Sequence, residues 1–238
     1  MDGKPLAIGS LVFPQMDQTD FTGPFEVLSR IPGSTIYVMG KDAAPIRDMK
    51  GLILTPEVRL SGAPSLDVLH VPGGPGQELL MDDDEVLSFL RERASTAVVF
   101  SVCTGALLCG AAGLLRGRRA TTHWASFDLL PYFGAIPTRT RVVQDGNLIT
   151  TSGVTAGIDG ALQLAALLRG PELAQQIQLS IEYSPDPPFD SGTPESAPLA
   201  VANAVRRAYA DLTRTRRTTA ARVAERLGID VPAGVAPV

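Results

Sequence analysis

The chain has 238 residues, 45% of them hydrophobic, with 23 Gly and 19 Pro, enough for a full core and many tight connections. Lys and Arg number 21 against 25 Asp and Glu, a net charge of −4 that argues against nucleic-acid binding by phosphate neutralisation. The two cysteines, Cys103 and Cys109, six residues apart, would point to different faces of a helix, so no disulfide between them is expected; the sequence has no C-x-x-C metal pair, and the longest apolar run, ALLCGAAGLL, is half a membrane span.

LAIGSLVF (6–13) reads as a first strand, and a helical stretch follows near TGPFEVLSR (22–30). STIYVMG (34–40) is the next strand, and IRDMKGLILTP (46–56) a hairpin about its Lys-Gly pair. LDVLHV (66–71) is a strand that stops at Pro-Gly-Gly. DDDEVLSFLRERA (82–94) is an amphipathic helix with acids in its first turn. AVVFSV (97–102) is a buried strand leading through Cys103 into an Ala/Leu/Gly helix. RTRVVQDGNLITT (139–151) is a hairpin turning at Asp145-Gly146. AGIDGALQLAALLRG (156–170) and ELAQQIQLSIEY (172–183) are helices. This alternation predicts an α/β fold, a mainly parallel sheet with helices on both faces. Residues 1–184 form that domain and 185–198 a Pro-rich arm. Residues 199–238, a helix and tail, belong to the same domain, and the seven arginines from Arg206 to Arg226 read as a solvated helix face. The N-terminus has neither a basic n-region nor a cleavage site, so the expected location is the reducing cytoplasm.

Ligands of open α/β sheets sit at the carboxyl ends of the strands. Three such ends carry suggestive residues: Asp20, the Gly73-Gly74 pair, and Cys103 with Thr104. A cysteine at a strand-to-helix joint faces unpaired N–H groups and the positive end of a helix dipole, and both favour the thiolate. Gly105 suits a sharp nucleophile elbow, although Ser101 stands where that motif carries its first glycine. From position alone Cys103 reads equally as a small buried hydrophobe. Cys109 reads as helix core, His70 as a satisfied core histidine, and His123 as a structural residue near the site.

The stretches DFTGPFEVL, LDVLHVPGG, SVCTGALLCGAAGLLRGRRATTHWASFDLL, RVVQDGNLITTSGVTAGIDGALQLAA and QIQLSIEYSPDPPFDSGTP resemble the ThiJ/PfpI superfamily, and within it the isonitrile hydratase branch. The resemblance implies a flavodoxin-like, class I glutamine-amidotransferase-like fold with a C-terminal helical extension. It also implies cofactor-independent hydration of a small-molecule isonitrile to an N-substituted formamide, through a covalent thioimidate and with no metal. Cys103 is implied as nucleophile, Asp20 as acid/base and Thr104 as supporting hydroxyl. Gly73 and Gly74 are implied to bind substrate, with the N–H groups of Gly74 and Thr104 holding developing negative charge. A homodimer is implied, with no nucleic acid and no membrane partner. No His-x-Glu pair follows, so the amidotransferase triad is absent. Two rivals remain: a ligand-sensing domain related to AraC-type regulators, because RTTAARVAERLGI resembles the start of a helix-turn-helix, and a redox-sensing protein using the same cysteine.

Overall fold

The structure is a computed structural model that describes residues 4–231. Its elements in chain order are β1 (Leu6–Leu11), α1 (Gln18–Leu28), β2 (Ser34–Gly40), β3 (Ile46–Arg47), β4 (Ile53–Leu54), β5 (Val58–Arg59), β6 (Val68–Val71), α2 (Gln77–Leu80), α3 (Asp84–Ala94), β7 (Val98–Val102), α4 (Gly105–Ala111), β8 (Arg119–Ala120), β9 (Ile136–Pro137), β10 (Val142–Asp145), β11 (Leu148–Thr151), α5 (Ala156–Arg169), α6 (Pro171–Ser180) and α7 (Leu199–Leu227). A ten-residue 3-10 helix, Trp124–Phe133, lies between β8 and β9.

Seven strands make the central sheet in the order β10-β11-β7-β6-β1-β2-β5. Every neighbouring pair is parallel except the β10–β11 hairpin. The expected mainly parallel sheet between helices is therefore present. The short buried strands carry apolar side chains on both faces, as a doubly covered sheet requires. Leu69, Val71 and Val99 face one core with Leu107, Leu108 and Phe133. Val68, Phe100 and Val102 face the other with Val27, Leu164 and Ile177. The chain lays down β1, β2 and β5 in one direction and then returns to place β6 on the other side of β1. The carboxyl ends of β1, β6 and β7 thus surround a topological switch point, where loops diverge and leave a crevice.

Helix α1 starts at Gln18, four residues before the expected stretch, because Asp17 caps it, its Oδ1 accepting the Thr19 N–H at 2.9 Å. Helix α7, Leu199–Leu227, is the helix of the expected 199–238 extension. Its later turns sink Ala220, Val223 and Ala224 into the core, and Arg222 and Arg226 both pair with Asp82, at 2.6 and 3.0 Å. The stretch resembling half of a helix-turn-helix is therefore packed against the body of the protein. Residues 232–238, the end of the expected tail, lie outside the described residues. No helix among the described residues is long and apolar enough to cross a membrane.

Candidate active site

The end of β7 feeds directly into a strained turn. Cys103 has φ +56°, a left-handed conformation that ordinary side chains avoid. The turn is fastened on both sides. The Cys103 N–H points at the Thr151 and Ser152 carbonyls, each at 3.2 Å, and its carbonyl accepts the Thr122 hydroxyl at 2.8 Å. Gly105 follows because a Cβ there would stand 2.1 Å from the Val71 carbonyl oxygen. The elbow sits hard against β6, which holds a buried sulfur at the switch point.

Asp20 reaches the same point from the first turn of α1 and is fully buried. Its position follows from a local defect. Pro24, inside α1, has no N–H to give the carbonyl four residues earlier, so the Asp20 carbonyl loses its helical partner. His70 on β6 replaces it: its Nε2 lies 3.1 Å from that carbonyl and its Nδ1 2.6 Å from the Ser10 hydroxyl. Burial pushes the His70 ring down to about 3. The ring is neutral, Nε2–H donates to Asp20, and Nδ1 accepts from Ser10. His70 is thus the satisfied core histidine expected, and it ties α1 to β6. The Asp20 carboxylate Oδ2 accepts the Gly73 N–H at 2.9 Å, while Oδ1 is buried with no partner among the described residues.

Gly73 and Gly74 do not stand as free donors. A Cβ on Gly73 would meet the Thr104 nitrogen at 2.5 Å and Thr104 Oγ1 at 2.6 Å, so glycine permits this close approach. The Gly73 N–H serves Asp20, and the Gly74 N–H serves Thr104 Oγ1 at 3.0 Å. The pair thus fixes the Asp20 carboxylate and the Thr104 hydroxyl beside the elbow. The backbone N–H groups of Val154 and Thr104 face Cys103 itself.

One residue of this site was expected elsewhere. Arg216, assigned from sequence to a solvated face, is buried, only 4% exposed. Its Nη2 donates to the Gly74 carbonyl at 2.9 Å and lies 3.4 Å from Thr104 Oγ1, and its Nη1 lies 3.3 Å from Ser126 Oγ. Arg206, Arg207, Arg214, Arg222 and Arg226 are exposed, as expected. The helical spacing carried the signal for Arg216, because it lies on one stripe with Thr219, Ala220, Val223 and Ala224, all buried.

Burial decides the electrostatics. It pushes the Asp20 carboxyl up to about 8, helped by the nearby Asp17 charge and opposed by the Gly73 N–H, Cys103 and Arg216. Burial and the Asp20 charge push the Cys103 thiol up as well, against the Val154 and Thr104 N–H groups and Arg216. The expectation of a thiol ionising unusually easily is therefore corrected. Helix α4 has only seven residues, and the loss of water around the buried sulfur is the largest influence on the thiol. At neutral pH the pair retains at least one proton, since the first charge formed opposes the second.

A cavity of about 50 Å³ lies over the sulfur, bordered by Thr104, His123, Val154, Tyr209 and Arg216. Burial and Arg216 hold the His123 ring down at about 4, so it is neutral, and its Nδ1 accepts the Ala125 N–H at 3.3 Å as the cap of the 3-10 helix. His123 and Val154 also border a larger pocket of about 540 Å³ that contains Trp124, Phe127 and Thr193. Cys109 is core, as expected, and burial pushes its thiol up to about 12. No group of three or more His, Cys, Asp or Glu among the described residues could hold a metal ion.

The chain is 50% identical over 225 residues to the isonitrile hydratase of Pseudomonas putida, covering 94% of this chain and 99% of that one. It is 32% identical over 144 residues to the transcriptional regulator CdhR of Pseudomonas aeruginosa, of which it spans 43%. Among solved structures, a ThiJ/PfpI family protein from Pseudomonas syringae superposes with a TM-score of 0.89 at 40% identity, covering 91% of each chain. DJ-1beta of Drosophila melanogaster shares the fold, with a TM-score of 0.68 at 21% identity over 76% of this chain and all of that one. The DJ-1/PfpI family model matches residues 8–167, which hold Asp20, Gly73, Gly74, Cys103 and Thr104 but end before α7. By its strand order, its cysteine elbow and this match, the chain belongs to the DJ-1/PfpI family.

Proposed function

We propose that the protein hydrates isonitriles to N-substituted formamides, with Cys103 as nucleophile and Asp20 as the proton carrier. The observation that supports this most is the half identity to an isonitrile hydratase along nearly the whole of both chains, α7 included. The site chemistry fits the reaction. The terminal carbon of R–N≡C must gain both a nucleophile and a proton, and Asp20 holds a proton beside the Cys103 sulfur near neutral pH.

In the reactive state Cys103 is the thiolate and Asp20 the acid. Sulfur bonds to the terminal carbon as that carbon takes the proton, giving the thioimidate R–N=CH–S and an Asp20 carboxylate. The carboxylate then draws a proton from water while the hydroxide portion adds to the same carbon, and the proton passes on to nitrogen. As the carbon–sulfur bond breaks, the new hydroxyl gives its proton to Asp20, releasing R–NH–CHO and restoring thiolate and acid. The sum is one isonitrile and one water to one formamide. Thr104 presents its hydroxyl to the nitrogen of the adduct. Gly73 and Gly74 hold Asp20 and Thr104 against the substrate head, which the 50 Å³ cavity admits, while the R group extends toward Trp124 and Phe127.

The protein works as a homodimer in this proposal. Leu179, Phe189 and Leu199, on α6, the arm and the start of α7, are 81%, 77% and 72% exposed, apolar side chains that a second copy could cover. The test of the activity is incubation of purified protein with alkyl and aryl isonitriles and direct detection of formamide. Cys103→Ala is expected to abolish product. Absence of formamide from the parent with every isonitrile, or persistent turnover in Cys103→Ala, refutes the assignment.

A further inference from the structure

Arg216 is a buried cation that the proposed chemistry does not yet use. Among the described residues it forms no ion pair with a carboxylate, and its Nε is buried without a partner. Its contacts are neutral acceptors: the Gly74 carbonyl, Thr104 Oγ1 and Ser126 Oγ. A buried guanidinium without its own carboxylate is costly unless a negative charge forms close by. The ionisable groups facing it are Cys103 at the elbow, Asp20 on α1, Glu78 on α2 and Tyr209 on α7, with Asp17 and His123 on the same cavity wall. Glu78 attracts Arg216 while also accepting from the Thr219 hydroxyl, and so supplies part of the counter-charge. The Cys103–Asp20 pair is the partner that gains and loses charge during turnover.

The contact with Thr104 has a second consequence. A hydroxyl has two acceptor sites and one proton. Gly74 N–H and Arg216 Nη2 point at the acceptor side of Oγ1, at 3.0 and 3.4 Å. The hydroxyl proton is left to donate, and its protein acceptor, the Gly74 carbonyl, is a long contact at 3.4 Å on an oxygen that Arg216 approaches more closely at 2.9 Å, so a substrate acceptor at hydrogen-bond distance competes well for it.

We propose that Arg216 is a positioning residue of this site: anchored on the Gly74 carbonyl, it turns the Thr104 hydroxyl into a donor toward substrate and balances the negative charge that the Cys103–Asp20 pair carries in the reactive state. It arrives on α7, beyond the stretch matched by the family model, so the C-terminal helix completes the site electrostatically. The role at Thr104 rests on the hydratase reading; the effect on Cys103 does not.

The experiment compares the full chain with Arg216→Met and Arg216→Lys. Iodoacetamide labelling of Cys103, read on its own peptide by mass spectrometry across pH, reports ionisation, and formamide release gives kcat and KM. In Arg216→Met the labelling profile moves to higher pH and kcat falls about 100-fold with KM within about threefold. Arg216→Lys keeps the charge but not the fork, so its labelling profile stays near the parent's while kcat lies between the two. A Met profile superimposed on the parent's, or a Lys variant no better than Met in both readouts, overturns the proposal. If the Met variant shows no cooperative thermal transition, Lys decides: reduced kcat on an unmoved labelling profile supports the role, and parental kcat overturns it. A parent that makes no formamide defeats the hydratase reading, yet the labelling comparison still decides whether Arg216 balances Cys103.

Discussion

Asp20→Asn should make the protein more stable, by an amount that grows with pH. The Asp20 carboxyl is raised from 3.8 to about 8 in the folded protein. Below pH 4 it is protonated both folded and unfolded, and the substitution changes little. Between pH 4 and 8 the unfolded chain releases the proton while the folded chain retains it, so the parent loses stability as pH rises. The full shift of about 4 units corresponds to about 6 kcal/mol at roughly 1.4 kcal/mol per unit. Relaxation of the site and entry of water reduce this to about 2–3 kcal/mol. Asparagine keeps the shape, and its oxygen still accepts the Gly73 N–H. The Cys103 thiol, raised in the fold, stays neutral in both states over most of this range and does not mask the trend. Urea denaturation of parent and variant at pH 5, 6, 7 and 8, at one protein concentration, measures the difference. The gap between the two should widen by about 2–3 kcal/mol in total across this range. Parallel stability curves from pH 5 to 8 would show that Asp20 is ionised in the fold and would remove it as the acid that protonates the isonitrile carbon.

The same variant should lose formamide formation while Cys103 labels at lower pH than in the parent, because the Asp20 charge that opposes thiolate formation is gone; a labelling profile that stays put refutes the coupling. His70→Phe keeps the stacking against Phe21 and Phe100, with ring centroids 6.5 and 5.2 Å away, but leaves the Asp20 carbonyl without a donor. It should cost about 1–3 kcal/mol in urea denaturation and reduce turnover. Gly73→Ala drives a methyl to 2.5 Å from the Thr104 nitrogen, for a loss of about 1–3 kcal/mol in the same assay and inactivation even where the protein folds. Light scattering at micromolar concentration should give twice 25.1 kDa, and a monomer mass would end the dimer proposal.

Much of the architecture was written locally. Short apolar strands bounded by Pro-Gly-Gly and Asp-Gly, and helices with acids at their starts, predict a doubly covered parallel sheet because each element's burial pattern is its own. The carboxyl ends of three strands, and with them Cys103, Thr104, Asp20, Gly73 and Gly74, were likewise legible, since strand-to-helix joints are visible in sequence. Three features were decided only by the tertiary structure. The Asp20 carbonyl found its donor on a histidine 50 residues away, whereas the Asp17 cap that starts α1 is a local signal. The ionisation of Cys103 depended on how much water the surrounding elements exclude, the largest influence on the thiol. Arg216 looked like one more surface arginine in a run of seven, although it shared a helical stripe with Ala220 and Val223. Whether that stripe met solvent or the site depended on how α7 packs against the 3-10 helix and α2, a long-range outcome that no local pattern encodes.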